Sequence, residues 1–336
     1  MKILISSHVF YPRVGGIEVM ASLLASEFML QDHEVKLVTQ TPASDEKVFP
    51  FEVIRQPQAH HLFQLVRWCD VYLHNNISLK TIWPLLMLRK PWVVVHQTWI
   101  SRLDRHLSWQ DYLKHFLIQF ATCISISQAI ADHVAVPSVV ISNPYRDDLF
   151  REIPTIARDK ELIFVGRLVS DKGVDLLLEA VGLLKKLGLT PKLTVIGEGP
   201  ELTALQQLAE DLAIHEQVSF VGVKTNLELV QFLSAHQIMV IPSRWAEPFG
   251  IVALEGIACG CVVVGSEAGG LKEAIGPCGV TFPNGDVQGL TQKLADLLSN
   301  SARLATYRAR AVCHLSRHKK AAVAKAYLEV IEAATR

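Results

Sequence analysis

The sequence predicts an α/β protein built from two doubly wound parallel sheets. Three observations predict it. Short β-branched runs alternate with helical patterns from the start of the chain. The alternation stops in a polar, Pro-bearing stretch, Asn143 to Lys160, and then restarts. A chain of 336 residues fits two domains of ordinary size better than one. In the first unit KILIS opens at Lys2, a helical pattern runs from Ile17 to Leu30, and VKLVT, FEVI, DVYLH, WVVVH, CISIS and VVIS follow as strands. Parallel strands are covered on both faces and read as near-continuous apolar runs, as these do. The second unit repeats the scheme through ELIFVG, KLTVIG, QVSFVG, IMVIPS, CVVVGS and GVTF. From about Asp286 onward the chain reads as helical, and its last segment, 319–336, is expected to pack back on the first unit. The expected division is therefore 1–148 with 319–336, and 149–318. Ligands of such sheets bind outside the carboxyl ends of the strands, so the crevice between two facing units is the default site.

Composition excludes several classes. With 33 basic and 33 acidic residues there is no net charge to drive nucleic-acid binding, although two or three local cations suffice for a phosphate. The longest charge-free stretch, Phe116 to Ala131, has 16 residues and includes Gln119, Ser125, Ser127 and Gln128, too short and too polar for a membrane span. MKILISSHVFYP lacks a long apolar core followed by a small-residue cleavage site, and a cytoplasmic location is expected. The six cysteines include no C-x-x-C pair and sit mostly in apolar runs, as buried reduced thiols do, so neither disulfides nor zinc are expected.

Two constellations point to chemistry. In PSRWAEPFGIVALEGIACG, residues 242 to 260, a strand ends at Pro242 and a helix is expected to begin near Phe249. The first amides of that helix, Gly250, Ile251 and Val252, have no intrahelical acceptor and form an anion site backed by the helix dipole. Glu255 is the polar exception on an apolar helix, so its carboxylate needs a partner. Glu247, at the loop-to-helix junction, is placed to accept hydrogen bonds from ligand hydroxyls. The structural alternative is a capping Glu247 and a Glu255 paired with a core arginine. In GRLVSDKGVD, residues 166 to 175, Arg167 and Lys172 lie between a strand and the next helix. Cations there oppose the helix dipole unless Asp171 and Asp175 offset them or an anion, naturally a diphosphate, sits between. The loop lacks the G-K-[ST] ending of a nucleoside-triphosphate loop.

Weaker signals lie in the first unit. Gly15 and Gly16 of PRVGGIE separate the first strand from the first helix and permit close approach of a ligand to the backbone. His96 ends the strand WVVVH, and that strand-end position sets a role in the crevice level with the ordinary reading of a core histidine. GEGPEL, beginning at Gly197, lacks the third glycine of a dinucleotide fingerprint, and no D-x-D triplet occurs to hold a diphosphate through a metal.

Taken in order, GRLVSDKG, the Gly197 turn, SFVG, EPFGIVALE and GGLKEAI resemble the retaining, nucleotide-sugar-dependent glycosyltransferases of family four, which have the two-Rossmann GT-B fold. The likeness is firm over about residues 160 to 285 and looser over the first unit, where Gly15-Gly16-x-Glu18, His96 and SQAIADHV fit. Asn143-Pro144-Tyr145-Arg146 replaces the usual Asn-Gly-Val-Asp, a departure that bears on the acceptor and not on the donor. The resemblance implies that Glu247 touches donor-sugar hydroxyls and Glu255 the ribose. It implies that Arg167 and Lys172 hold the diphosphate, and that amides from Phe249 to Val252 bind the sugar and phosphates. The loop around Val223 would meet the base, with His96 near the reacting sugar. No metal is expected. Retention by front-face attack needs no general base; an inverting alternative would need one, and His8 is the candidate.

Residues 80 to 120 carry Lys80, Arg89, Lys90, Arg102, Arg105 and Lys114 against Asp104 and Asp111, with Trp83, Trp92, Trp99 and Trp109. Such a surface suits peripheral contact with anionic lipid and a lipid-linked saccharide acceptor, the alternative being a solvated helix face over core tryptophans. UDP-glucose or a related UDP-hexose is the expected donor, with GDP-mannose second. A nucleotide-sugar-binding protein without turnover is the alternative from another class.

Overall fold

Every β-branched run named above forms a strand in the computed structural model, which describes residues 1–12, 15–42, 47–100 and 108–336. The first unit comprises Met1–Pro144 with Lys320–Arg336, and the second Tyr145–Lys319. The first sheet contains β1 (Lys2–Ser7), β2 (Glu34–Thr39), β3 (Glu52–Arg55), β4 (Val71–Asn75), β5 (Trp92–His96), β6 (Thr122–Ser125) and β7 (Ser138–Val140). Their order is β3-β2-β1-β4-β5-β6-β7. The second contains β8 (Lys160–Val165), β9 (Leu193–Ile196), β10 (Val218–Phe220), β11 (His236–Ile241), β12 (Val262–Ser266) and β13 (Gly279–Phe282), in the order β10-β9-β8-β11-β12-β13. All these pairings are parallel. Both are Rossmann-like sheets whose strand order reverses once, between β1 and β4 and between β8 and β11. Each reversal leaves a crevice at the carboxyl edge of its own sheet.

Burial follows from the coverage. β4, β5 and β12 are buried along their whole length, which needs helices on both faces. In the first unit the helix Lys320–Thr335 lies against helix Gly16–Leu30 and β5, burying Val323, Ala324, Tyr327, Leu328 and Ile331. The sequence reading put the first division at 148; the division falls at Pro144–Tyr145 instead. Tyr145 is buried and donates its amide to the carbonyl of His318 at 3.2 Å, which ties residues 145–148 to the second unit.

Five cysteines are buried and Cys313 is exposed. Burial pushes the thiols of Cys123 and Cys278 up to about 11 and those of Cys69 and Cys261 up to about 12. The tryptophans divide: Trp92 is buried with its indole donating to His74 Nδ1 at 2.7 Å, whereas Trp109 is 70% exposed. Helix Trp109–Leu117 buries none of its residues, and Trp109, Tyr112, Leu113, Phe116 and Phe120 stand exposed at helical spacing. Arg102, Asp104 and Arg105 lie outside the described residues. Among the described residues no helix is long and apolar enough to cross a membrane.

The turn after β9 depends on Gly197. Its φ is +139°, and a Cβ there would lie 1.8 Å from the carbonyl oxygen of Gly166, on the turn that leaves β8. Gly197→Ala is therefore expected to destabilise the protein by at least about 2 kcal/mol, through backbone strain and a contact that cannot relax into a side chain. A lowered urea midpoint at unchanged slope is the expected reading.

Candidate functional site

Two loops leave the carboxyl ends of β8 and β11, the neighbours at the reversal of the second sheet. The first turns through a short 3-10 segment, Ser170–Lys172, into Gly173, whose φ is +66°. A Cβ on Gly173 would lie 2.1 Å from the carbonyl oxygen of Pro242, so glycine is what lets the two loops meet. Backbone bonds then join them: the carbonyl of Asp171 accepts the amides of Arg244 at 2.9 Å and Trp245 at 3.2 Å. Lys172 donates to Glu247 Oε1 at 2.5 Å, and the buried Ser243 hydroxyl donates to the same oxygen at 2.7 Å. A third loop, after β12, closes the arrangement: the carbonyl of Glu247 accepts the amide of Gly270 at 2.7 Å. Asn284 braces both, donating to the carbonyl of Ser243 at 2.9 Å and accepting from the amide of Ala268 at 2.8 Å.

Beyond this junction the chain enters helix Ile251–Ala258 through Gly250, which has φ +100°. Because the helix starts at Ile251, the expected start near Phe249 is corrected. The Phe249 side chain is buried and its ring lies 5.8 Å from that of His318, so Phe249 anchors the approach to the helix. The amides of Ile251 and Val252 occupy the first two helical positions and have no intrahelical acceptor, while that of Ala253 already bonds the carbonyl of Gly250 at 3.0 Å. Glu255, one turn on, makes no hydrogen bond with the described residues. Desolvation raises its carboxyl from 4.5 to about 7, with the charge of Arg146 opposing.

Three sequence expectations change in detail. Glu247 caps no helix; it holds Lys172, so two candidates read as separate form one ion pair. Asp175 offsets Arg244, to which it is salt-bridged, rather than Arg167 or Lys172. Glu255 has no arginine bonded to it. Arg167, after β8, is exposed and makes no ion pair with the described residues. Gly197 and the 54% exposed Val223 belong to adjacent turns, joined where the amide of Gly197 donates to the carbonyl of Gly222 at 2.9 Å.

The remaining candidates lie in the first unit. Gly15 caps helix Gly16–Leu30 in an extended conformation. His96, 1% exposed, ends β5 with Nε2 unbonded among the described residues. Burial, then the nearby His115 and His133, lower its imidazole to about 4, so it is neutral near pH 7. Sequence reasoning missed Ser243, Asn284 and the Arg244–Asp175 bridge. Asn284 stands in an Asn-Gly turn, but no local pattern shows that its amide reaches a carbonyl 41 residues away.

The arrangement offers two lysine and arginine cations, two free amides at a helix terminus and two carboxylates within one sheet edge. That set suits an anionic ligand that also carries hydroxyls. Comparison with known proteins fits it. The model of the family described as glycosyl transferases group 1 matches residues 146–312. An uncharacterized glycosyltransferase of Methanocaldococcus jannaschii is 38% identical over 324 residues, covering 82% of this chain and 83% of that protein. The chain belongs to the glycosyl transferases group 1 family. The glycogen synthase of Mycobacterium tuberculosis is 38% identical over 153 residues, 45% of this chain, and the match spans 36% of that longer protein. Among solved structures, HepE of Anabaena in complex with UDP matches with a TM-score of 0.85 at 20% identity, covering 99% of this chain and 100% of that one. The same protein in complex with UDP-glucose gives 0.80 at 19%. At such identity the likeness carries the fold, which is GT-B.

In this family member, Glu255 links the site to stability. Below pH 4.5 its carboxyl is protonated both folded and unfolded; between 4.5 and about 7 the folded chain alone keeps the proton. Stability from this group therefore falls as pH rises through that window and is gone above it. Glu255→Gln is expected to flatten the dependence and, above pH 7, to stabilise the ligand-free protein by on the order of 2 kcal/mol. Thermal melts across pH 4.5 to 8 check this; parallel profiles for the two proteins would contradict it.

Proposed function

We propose that the chain is a retaining hexosyltransferase that moves a sugar from UDP-glucose or a related UDP-hexose to a saccharide or lipid-linked saccharide acceptor in polysaccharide assembly. The observation that carries the reading is the junction of the β8 and β11 loops, where Lys172, Glu247 and the first amides of helix Ile251–Ala258 meet at one edge. HepE, which has this fold, binds UDP and UDP-glucose, and this favours uracil.

In this reading the diphosphate lies against Arg167, Lys172 and the amides of Ile251 and Val252. Glu247 keeps Lys172 extended and turns its second oxygen to the sugar hydroxyls. Glu255 receives the ribose diol, and the turn around Val223 meets the base. As the bond from the anomeric carbon to the β-phosphate oxygen breaks, its electron pair stays with the diphosphate, and fixed cations and amides stabilise the charge that develops there. The acceptor hydroxyl attacks from the same face and gives its proton to the departing phosphate oxygen, so configuration is retained without a basic side chain. No metal is required, since Arg167 and Lys172 supply the positive charge. His96, neutral at pH 7, offers a hydrogen-bonding group at the carboxyl edge of the first sheet. The exposed stripe of Trp109, Tyr112, Phe116 and Phe120 supports peripheral contact with the cytoplasmic face of a membrane, where a lipid-linked acceptor resides. No nucleic acid takes part.

A thermal-shift panel of UDP, GDP and ADP with their sugar conjugates, run in EDTA, tests the donor. UDP and UDP-glucose should each raise the melting temperature, by an amount equivalent to about 2.7 kcal/mol at 100 times the dissociation constant. A larger shift with GDP-mannose would reassign the donor, and no shift with any nucleotide would remove the reading. Glu255 gives a second test. Hydroxyls that donate to its carboxylate favour the charged form, so UDP binding should release protons near pH 7 and tighten as pH rises from 6 to 8. Calorimetry in buffers of different ionisation enthalpy reads this directly, and Glu255→Gln should abolish the release.

A further inference from the structure

The Arg244–Asp175 bridge joins the same two loops as the Lys172–Glu247 pair, yet the loops do not need it in order to meet. The backbone at Arg244 is held from both sides: its amide donates to the carbonyl of Asp171 at 2.9 Å, and its carbonyl accepts from Asn284 Nδ2 at 3.3 Å. Gly173 admits the Pro242 carbonyl, and the carbonyl of Ser243 accepts from Asn284 as well. The bridged side chains are 39% and 32% exposed, and an ion pair so open to solvent contributes little as a clamp. Its effect on the balance of charge is larger.

The two loops carry Arg167 and Lys172 against Asp171, Asp175 and Glu247, so without Arg244 they hold an excess of negative charge at the edge suited to an anion. The three carboxylates are not equivalent. Asp171 is exposed, and water and salt screen it. Glu247 is engaged by Lys172 and by the Ser243 hydroxyl. Asp175 stands three residues after Lys172, in the first turn of helix Val174–Lys186. Its Oδ2 is bonded to Arg244, and its Oδ1 is buried without a partner among the described residues. A partly buried carboxylate that loses its partner is costly and draws in whatever cation can reach it. Lys172 is the nearest cation in the loop that leads into this helix. In turning to Asp175 it would leave Glu247 and the free amides of helix Ile251–Ala258.

We infer that Arg244 is a positioning residue for the diphosphate: by holding Asp175 it keeps Lys172 on Glu247, where the ammonium meets the ligand. The identity of that ligand rests on the donor reading, and the experiment separates the two. Calorimetry on the full chain follows UDP and inorganic pyrophosphate, with uridine, which carries no phosphate, as the control. Arg244→Met should weaken UDP and pyrophosphate by about tenfold each and leave uridine unchanged. Asp175→Asn alone should bind both at least as tightly as the wild type. The double variant, Arg244→Met with Asp175→Asn, should return to within about threefold of the wild type, because a neutral amide no longer draws Lys172. A bridge that only holds the fold gives a different pattern: Asp175→Asn weakens binding as Arg244→Met does, and the double variant is no better. That pattern, or unchanged affinity in Arg244→Met, overturns the inference. Should Arg244→Met fail to fold, the double variant and Asp175→Asn decide, since the inference requires them to bind alike. A wild type that binds pyrophosphate but not UDP would remove the donor reading while the variants still decide the inference, and binding of neither overturns both.

Discussion

The close approach of two backbone loops, made possible by the missing side chain of Gly173, is the constraint on which the second unit's site depends. With the Pro242 carbonyl so near, any larger residue would separate the loops by more than a hydrogen bond tolerates. With glycine there, Asp171 accepts two amides from the opposite loop, and Lys172 and Glu247 come within bonding distance. The same logic recurs one loop along. Gly269 has φ +78° and a Cβ there would meet the carbonyl oxygen of Glu247 at 2.2 Å, which allows Gly270 to bond that carbonyl. Backbone contacts therefore set the positions of the charged side chains, and the charges need not assemble the site by their own attraction.

This order of causes matters energetically. A partly exposed ion pair such as Lys172–Glu247 contributes little to stability by itself, because solvent screens it and two long side chains lose freedom to form it. Its value is positional. Glu247, steadied by the Ser243 hydroxyl, holds an ammonium where a flexible lysine would otherwise sample many rotamers. Arg167 is left without an ion pair among the described residues. Glu255 is the opposite case, a carboxylate disfavoured by its own surroundings. Such local conflict between sequence rule and fold is expected where a site is maintained for binding and the stability comes from elsewhere, here from the buried strands and helices around it.

Most of the architecture was legible from periodicity. Continuous apolar runs bounded by Gly, Pro and Ser specify buried parallel strands, and all thirteen strands of the described residues lie where those runs lie. Helix starts were less so: the helix expected near Phe249 begins at Ile251, because the Phe249 ring is committed to His318 and Gly250 makes the turn. The site residues announced themselves one by one through charge in apolar context, as Glu255 does, or between a strand and a helix, as Arg167 and Lys172 do. Their pairing was illegible. Lys172 and Glu247 are 75 residues apart, and only the strand order places β8 beside β11.

The carboxyl edges of the two sheets thus differ in kind although their topology is alike. In the second unit the loops present cations, free helix amides and carboxylates, groups whose worth rises with the charge of what they meet. In the first, burial holds the histidine at the end of β5 neutral and the helix terminus is already faced by Glu18. Stabilising a departing diphosphate calls for fixed charge, whereas orienting an uncharged alcohol calls for hydrogen bonds of defined direction and no competing ion. Two sheets of the same kind thus differ in chemistry through what stands at the ends of their strands.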